Sequence, residues 1–332
     1  MRNDLLFDQV IVPESMLFGY PSRISNIYEP VVESIIQKSL IIPSEKITVS
    51  VEHSVLLPSY LEVRKVGVRD KILLFNERRK FGSIENLGER LVYDARYVYN
   101  NNITHLIQHH LAALGFMKKE LGVTRENVVV LFEGNAPKLA IEIMRFLGYE
   151  VLSTSRRVSC NSIQVKVDPN NFFHLLSYVK YVEFSISEKS FPDKIFISRL
   201  NTRKLINEDE VDNFLCCQGY EKVYFEGLSF GDQWAMMMNA SNVIAIHGAA
   251  LGALAFSGFG NKKISLIELF SPGLVVNSFR KYVAILNGSW VGCRGEITPK
   301  MVRDIDIPGK AKSHAFEDFK ISIKSIEEAI NY

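Results

Sequence analysis

The sequence has few cysteines, almost no excess charge and no long apolar run near its start. Its four cysteines include the adjacent Cys216 and Cys217 and follow no zinc-site spacing, so we expect no disulfide framework and a reducing, cytosolic location. Lys and Arg number 39 against 37 acidic residues, which gives no electrostatic basis for nucleic-acid binding. The first residues lack the apolar segment of a secretory signal, so none is predicted.

One uncharged stretch, between Asp232 and Lys262, is long enough to cross a bilayer. It also contains Gln233, Asn239 and His247, whose polar groups would need partners inside the lipid. We therefore interpret it as buried α/β core with a polar turn in its middle.

The 332 residues suffice for two domains of ordinary size, and no internal repeat is visible. In the first part, the segments KITVSVE, KILLFN and RLVYDARYVYN, which start at Lys46, Lys71 and Arg90, predict strands. From Asn102 helical and strand patterns alternate up to the strand YEVLST at Tyr149, which is typical of a parallel sheet with helical crossovers.

The stretch from Ser153 to Asp193 is irregular and predicts a linker. Alternation then resumes with strands from Lys194, Lys222, Asn242 and Ser265, helices from Asn207 and Gly231, and a C-terminal helix from about His314 to Ile330. We predict an α/β protein of two Rossmann-like halves that face a cleft. The first domain comprises residues 1–165 and the second 190–312, with the alternative that a helix at 313–330 packs back on the first domain. Such halves hold a ligand at the carboxyl ends of their strands.

The segment NVIAIHGAALGALAF is the best candidate site. A buried strand ends beside His247, Gly248 makes the turn, and a helix of small residues opens at Ala249. Its free N–H groups suit a phosphate, although the spacing fits neither a dinucleotide fingerprint nor a P-loop. A tight turn with a structural histidine is the open alternative.

A second candidate is FISRLNTRKLINEDEV. Arg199 falls at a strand end and Arg203 lies four residues later, so both can direct forked donors at an anion. Asn207 is predicted to cap the next helix, with Glu208 favouring its positive end. In LSFGDQ, Ser229 and Asp232 are explained by capping, whereas Gln233 is not.

The third candidate lies on the helix that begins after Asn102. Asn102, His105 and His109 share a face that also carries Ala112 and Phe116, and this face is too mixed for plain solvent. It is expected to line the cleft, with ordinary surface histidines as the alternative. We expect no zinc site there, because no third ligand is in view.

The order and spacing of these motifs resemble glycosyltransferase family 61. The set runs from N-x-x-H at Asn102 through FISR, LSFGDQ and AIHGAALGALAF to IELF, which ends at Phe270. This resemblance implies an inverting enzyme of GT-B architecture that transfers sugar from a nucleotide sugar, commonly UDP-linked, to a growing surface glycan such as a bacterial capsule polysaccharide.

The resemblance also implies roles for single residues. The donor-binding set is Arg199, Arg203, Asn207, Glu208, Gln233, His247, Gly248, Ala249 and Glu268. Leu106 stands where the family usually has an aromatic residue, and His109 where members commonly carry a carboxylate. We predict that His109 is the general base, oriented by His105 and Asn102. The acid limb of the rate is then expected near the ordinary histidine pKa of about 6.5.

No cofactor is expected to be required. Asp304 and Asp306 form a D-x-D pair that could take a divalent cation, but such a pair is more often a strand end with a turn, which we favour here. We expect a nucleotide-sugar donor and a glycan acceptor in the cytoplasm, with a lipid-linked acceptor and contact at the inner membrane face as options. Because of the change at His109, a non-catalytic nucleotide-sugar or glycan-binding protein of an assembly complex stays open as the alternative.

Overall fold

The structure is a computed structural model that describes residues 2–19, 33–56, 84–96, 102–168, 172–186, 189–260, 262–304, 307 and 310–332. The predicted strand at Lys71, the end of the segment that starts at Arg90, and Asp306 lie outside these residues.

The described residues form strands β1 (Arg2–Phe7), β2 (Val10–Val12), β3 (Ser15–Gly19), β4 (Glu33–Gln37), β5 (Leu40–Ile42), β6 (Glu45–Leu56), β7 (Glu85–Asp94), β8 (Val128–Phe132), β9 (Glu150–Ser153), β10 (Val158–Asp168), β11 (Lys194–Ser198), β12 (Glu221–Tyr224), β13 (Asn242–Ile246), β14 (Ser265–Phe270) and β15 (Ser289–Arg294).

Their α-helices are α1 (Ile103–His105), α2 (Ala112–Leu121), α3 (Lys138–Phe146), α4 (Glu208–Cys217), α5 (Phe230–Asn239), α6 (Ser278–Ile285), α7 (Pro299–Asp304), α8 (Lys310–Ser313) and α9 (Ile323–Asn331). A π-helical turn, Leu106–Leu111, joins α1 to α2, and the 3₁₀ segments are His174–Tyr181, Phe225–Gly227, Ala249–Gly260 and His314–Phe316.

The chain divides into two compact units. Unit 1 comprises residues 1–8 and 44–185, and unit 2 comprises residues 9–43 and 186–332. Each unit contains a sheet with parallel strands and helical crossovers, so the expected α/β class is confirmed.

The sheet of unit 1 has the strand order β1-β6-β10-β7-β8-β9. Strands β10, β7, β8 and β9 run parallel, whereas β6 is antiparallel to β10 and β1 is antiparallel to β6. The strand β8 is apolar throughout and buried on both faces, as a central parallel strand must be.

In unit 2 the sheet order is β12-β11-β13-β14-β15-β3-β4. All neighbouring pairs are parallel except β3 with β4. The chain forms β11, adds β12 on one side, and then adds β13, β14 and β15 on the other. The order therefore reverses between β11 and β13, and ligands of such sheets bind at the carboxyl ends of those two strands.

The expected linker at Ser153–Asp193 is wrong, because most of this stretch belongs to the core of unit 1. It contains β10, which lies between β6 and β7, and the 3₁₀ helix His174–Tyr181, which packs against α2. Pairing with two neighbours stabilises β10 although Asn, Gln and Lys interrupt its apolar pattern.

The domain boundaries also differ from those expected. Residues 9–43 belong to unit 2, since β3 and β4 complete its sheet. The predicted helix from His314 is interrupted, because the backbone near Phe319 hydrogen-bonds to Lys204 and Ile206. The remaining helix, α9, packs in unit 2 through Ile326 and Ala329, in a cluster that includes Phe18 of β3.

The N-terminal strands form an internal repeat that the sequence analysis missed. β1, β2 and β3 correspond in length and spacing to β4, β5 and the start of β6, with Pro13 equivalent to Pro43. β2 pairs with β5 in antiparallel register, so Ile11 lies opposite Ile41. The repeat escapes detection because few identical residues align, and only strand lengths and burial recur.

The uncharged stretch between Asp232 and Lys262 forms α5, β13 and the 3₁₀ segment Ala249–Gly260, largely buried. Within the described ranges, no helix is long and apolar enough to span a membrane.

Close packing of α2 in unit 1 depends on Gly115. A Cβ atom at this position would lie 2.1 Å from the backbone oxygen of Tyr178, and backbone cannot move aside as a side-chain end can. The helix ends at Gly122, which adopts the left-handed conformation common at helix C-termini.

Replacing Gly115 with alanine should therefore destabilise the protein by about 1–3 kcal/mol, although alanine normally favours a helix by about 1 kcal/mol. The midpoint of urea unfolding measures this change. Gly227→Ala is the matched control, because no atom lies within 4 Å of its Cβ position. A Gly115→Ala protein as stable as the control variant would contradict the packing described here.

Candidate functional site

The carboxyl ends of β11 and β13 place Arg199 and His247 on adjacent strands of unit 2. Arg199 directly follows β11, and His247 directly follows β13. This is the point at which the strand order reverses. The two motifs are separated by more than forty residues in sequence, and the parallel register joins them.

Two guanidinium groups converge on one backbone oxygen. Nη1 of Arg199 donates to the His247 carbonyl at 3.0 Å, and Nη1 of Arg203 donates to the same oxygen at 3.1 Å. Burial lowers the pKa of both guanidiniums, and the charge of Arg199 further lowers the pKa of Arg203.

Both arginines keep donor capacity. The Nε atoms of Arg199 and Arg203 are buried without a hydrogen-bond partner, and within the described ranges neither guanidinium forms an ion pair with a carboxylate. The charge of Glu226 acts to raise the pKa of Arg199. The hydrogen bond that this carboxylate accepts comes from the backbone N–H of Leu200. Paired, half-buried cations with spare donors suit an anionic ligand.

The backbone at Arg203 is strained. Its φ of 59° lies in the left-handed region, which costs a non-glycine residue of order 1 kcal/mol or more. Such conformations persist where the surrounding structure requires them and cluster at ligand-binding sites.

Gly248 allows the close approach of Arg199. A Cβ atom at Gly248 would lie 1.9 Å from Nη1 of Arg199, so any side chain here displaces the guanidinium. The 3₁₀ segment that begins at Ala249 follows this turn at once. The three residues of the strand-to-helix turn thus form one arrangement with the arginine.

The His247 ring is held by the fully buried Glu268. Oε1 of Glu268 lies 2.6 Å from Nδ1 of His247, while Oε2 accepts a hydrogen bond of 2.7 Å from Nε1 of Trp290. The ring also stacks on Phe270, with centroids 5.4 Å apart. Because Glu268 engages Nδ1, the ring is held in one orientation and Nε2 is left as the second functional nitrogen.

Asn207 and Glu208 lie near this site but are occupied by structural contacts. Asn207 makes no capping bond; it exchanges hydrogen bonds with the backbone of Ile321. Glu208 accepts from the Ser198 and Tyr224 hydroxyls. Asn207 is the N-cap residue of α4, as predicted, but its side chain makes no capping bond, and both side chains join the ends of neighbouring elements.

Gln233 is buried and also bonded to backbone. Its Nε2 donates to the carbonyls of Phe225 and Leu228, at 2.9 and 3.0 Å. It positions the short segment after β12. The cap at Ser229 is confirmed, because its hydroxyl accepts from the N–H of Asp232.

In unit 1, His105 and His109 lie on successive turns of one helical surface. Their rings stack with centroids 5.9 Å apart, and His109 contacts Phe172 edge-on at 4.6 Å. His109 lies in the π-helical turn, a feature often found at functional sites. Ala112 and Phe116, expected on this face, are fully buried, so the helix is packed on more sides than a cleft wall would be.

Burial governs the basicity of this surface. Desolvation, followed by the neighbouring charge of His105, lowers the pKa of His109 to about 4. The buried His110 faces the Tyr93 hydroxyl at 3.1 Å, and burial lowers its pKa to about 3. The ordinary pKa of about 6.5 expected for His109 is therefore wrong, since the ring stays neutral well below that pH.

The side chain of Asn102 caps the helix. Its Oδ1 accepts from the N–H of Thr104 at 2.9 Å, which satisfies one of the free donors of the first turn. Its amide nitrogen is the part of the side chain that this cap does not use.

Asp304 is engaged by two basic side chains. Its carboxylate lies 3.0 Å from Nε2 of His314 and 3.8 Å from Nζ of Lys310. Among the described residues, no group of three or more His, Cys, Asp or Glu side chains is arranged to hold a metal ion.

Three contributors to the site were missed by sequence reasoning: Trp290, Phe270 and Tyr224. Their contacts depend on strand register and on hydroxyl or indole groups that no local motif marks. A buried Glu268 within an apolar strand was the one available signal, because a buried carboxylate needs donors.

The comparisons with known proteins bear on this geometry. The family model for Glycosyltransferase 61 matches residues 103–264. Over these residues the chain is similar to glycosyltransferase family 61. No curated protein matches the chain. Among solved structures, the E. coli heptosyltransferase WaaC with ADP is similar at 10% identity, over 68% of this chain and 99% of that chain, with a TM-score of 0.31.

The glycosyltransferase 61 match spans parts of both units. It includes His105 and His109 in unit 1 and Arg199, Arg203 and His247 in unit 2. Glu268 lies four residues beyond the match and is joined to it by contact with His247. The match supports a glycosyltransferase, and the cationic turn of unit 2 is the best candidate within it for binding an anion.

The pKa of His110 predicts a loss of stability in acid. Above about pH 6.5 the folded and unfolded chains both hold this residue neutral; below it, only the unfolded chain takes up the proton. The contribution of His110 to the free energy of unfolding is therefore fully present above pH 6.5. It falls by up to about 1.4 kcal/mol per pH unit as the pH decreases toward 4.

His110→Gln keeps a hydrogen-bonding group near Tyr93 but cannot titrate. At pH 7.5 the unfolding midpoint of the wild type should exceed that of the His110→Gln protein. At pH 4.5 the difference between the two midpoints should be smaller. A gap that is constant across this range would mean that His110 is not buried in its neutral form.

Proposed function

We propose that the protein is an inverting glycosyltransferase of GT-B type that transfers a sugar from a UDP-sugar to a growing surface glycan. The convergence of Arg199 and Arg203 on the His247 carbonyl carries this proposal, because it leaves two half-buried cations with unused donors at the strand-order reversal of unit 2.

A diphosphate fits the chemistry of this turn. Its oxygens can accept from the unused N–H groups of both guanidiniums, and charge-assisted bonds of this kind are the strong ones. Nε2 of His247 is left for a further hydrogen bond to the ligand, since Glu268 engages the other ring nitrogen. The departing nucleoside diphosphate would thus meet positive groups that are already in place.

This arrangement also bears on metal dependence. The arginines supply the positive charge that a bridging divalent cation would otherwise provide, and Asp304 is engaged by His314 and Lys310. We propose that catalysis requires no metal, although a cation could activate it mildly.

For the base we propose His109. Inversion needs one group to take the proton of the acceptor hydroxyl as that oxygen attacks the anomeric carbon. With a pKa of about 4, His109 has nearly the basicity of the carboxylate that the family commonly carries at this position. Its stacking on His105 and its edge contact with Phe172 hold the ring in one orientation.

The acceptor is proposed to be a glycan, in lipid-linked form at the cytoplasmic membrane face. The alternative function, a non-catalytic nucleotide-sugar or glycan-binding protein of an assembly complex, retains one supporting observation. His109 replaces a carboxylate, and a protein that only binds would tolerate that change.

Arg199→Ala should weaken UDP binding by about 10- to 100-fold, because a charge-assisted contact in a poorly solvated site is lost. Gly248→Ala should act similarly by displacing the same guanidinium. His247→Ala should also weaken binding, through loss of the ring that Glu268 orients. Isothermal titration calorimetry measures all three.

Arg145→Ala is the control, since this exposed arginine of α3 lies in unit 1. Unfolding curves establish that each variant is folded. If Arg199→Ala and Gly248→Ala proteins bind UDP as tightly as the control, the diphosphate binds elsewhere.

His109→Ala should lower kcat by about 10²- to 10⁴-fold, the usual contribution of a positioned base, with UDP affinity nearly unchanged. The wild-type acid limb should lie near pH 4, following the lowered pKa of His109. His109→Asp should recover part of the rate. Turnover of a UDP-sugar panel with a lipid-linked acceptor across pH 4–8 tests these outcomes.

His105→Ala is the companion variant. Near-normal turnover in His109→Ala with none in His105→Ala would assign the base to His105 instead. Tight donor binding by a wild type that turns over no donor and acceptor would favour the non-catalytic alternative.

A further inference from the structure

An exposed aromatic ring lies against one of the proposed diphosphate-binding arginines. The guanidinium carbon of Arg203 is 5.4 Å from the ring centroid of Phe316, and Phe316 is 54% exposed. Isolated exposed apolar side chains are common and need no explanation. This ring differs because its contact is a cation with unused donors, so one part of the ring is covered while the rest is open to solvent.

A short backbone ladder fixes the distance between the two side chains. The N–H of Phe319 donates to the Lys204 carbonyl at 3.0 Å, and the N–H of Ile206 donates to the Phe319 carbonyl at 2.8 Å. The backbone N–H of Lys204 is also bonded to Asp318 at 2.9 Å. The loop of Arg203 and the turn that contains Phe316 are therefore held together, although they are over a hundred residues apart.

The turn itself is clamped by His314. The ring of this buried residue lies between two carboxylates, with Nδ1 2.7 Å from Glu317 and Nε2 3.0 Å from Asp304. Its carbonyl accepts a hydrogen bond of 2.7 Å from the buried hydroxyl of Ser271. Gly273 permits this packing, because a Cβ there would lie 2.7 Å from the His314 backbone. A turn fixed on both sides presents Phe316 in one place.

We propose that Phe316 is the platform on which the base of the nucleoside diphosphate stacks, and hence a specificity-determining residue for the donor. This inference rests on the proposed function, since it needs a diphosphate on Arg199 and Arg203. A planar base gains from an exposed aromatic face, and stacking tolerates any base because each has a π-face. The ring therefore selects nucleotides over simple diphosphates and leaves the choice among bases to other groups.

The test compares ligands with and without a base. Titration calorimetry with UDP, ADP and pyrophosphate should show that Phe316→Ala loses about tenfold or more in affinity for whichever nucleotides the wild type binds, with pyrophosphate unaffected. Phe316→Leu keeps the apolar bulk but not the π-face, and should lose nearly as much. Phe316→Tyr should retain the wild-type affinities. Tyr332→Ala, an exposed aromatic of unit 2 that contacts Phe18, should change nothing.

The opposing outcomes are separate from one another. Equal losses for UDP and pyrophosphate in Phe316→Ala would show that the ring only supports Arg203, and unchanged UDP affinity would show that the base lies elsewhere; either overturns the platform. A wild type that binds pyrophosphate but no nucleotide would also overturn it while leaving the anion site intact. A wild type that binds none of the three would remove the proposed function, and the platform with it.

Discussion

The carbonyl oxygen of His247 accepts a hydrogen bond from each of two guanidiniums, and the rest of the site is arranged around that oxygen. Two cations that share one acceptor repel each other, and burial makes the repulsion costly. The fold nevertheless holds the two guanidiniums at this oxygen. Three features position them: the left-handed backbone of Arg203, the absence of a side chain at Gly248 and the sheet register that brings β11 beside β13. An anion would relieve the repulsion, which is why we regard the arrangement as prepared for a ligand.

The two units hold different kinds of polar group. Unit 2 presents fixed positive charge and a histidine oriented by Glu268, both suited to a leaving group that gains negative charge. Unit 1 presents His109, which lies in the π-helical turn, is kept neutral by burial and stacks its ring on His105. The same physical cause, loss of water, weakens the protonated histidine in one unit and strengthens the attraction of the arginines for an anion in the other.

The turn at Phe316 shows how remote residues join a site. Arg203 and Phe316 meet because the strand-like segment at Phe319 pairs with the loop after β11. That pairing also interrupts the C-terminal helix expected from the sequence. One set of backbone hydrogen bonds thus explains both the broken helix and the placement of the aromatic ring.

The sequence by itself determined the α/β class, the position of most strands after Asn127, the turn at His247–Ala249 and the two arginines, because local periodicity and strand-end chemistry are written in neighbouring residues. Tertiary structure decided what depends on distant partners. β10 is a strand because β6 and β7 flank it, although its polar residues suggested a linker. The side chain of Asn207 bonds to Ile321 instead of making a capping bond, Gln233 holds backbone, and burial lowers the pKa of His109. Desolvation and long-range pairing arise only when the chain is folded, so they cannot be predicted from patterns of adjacent residues.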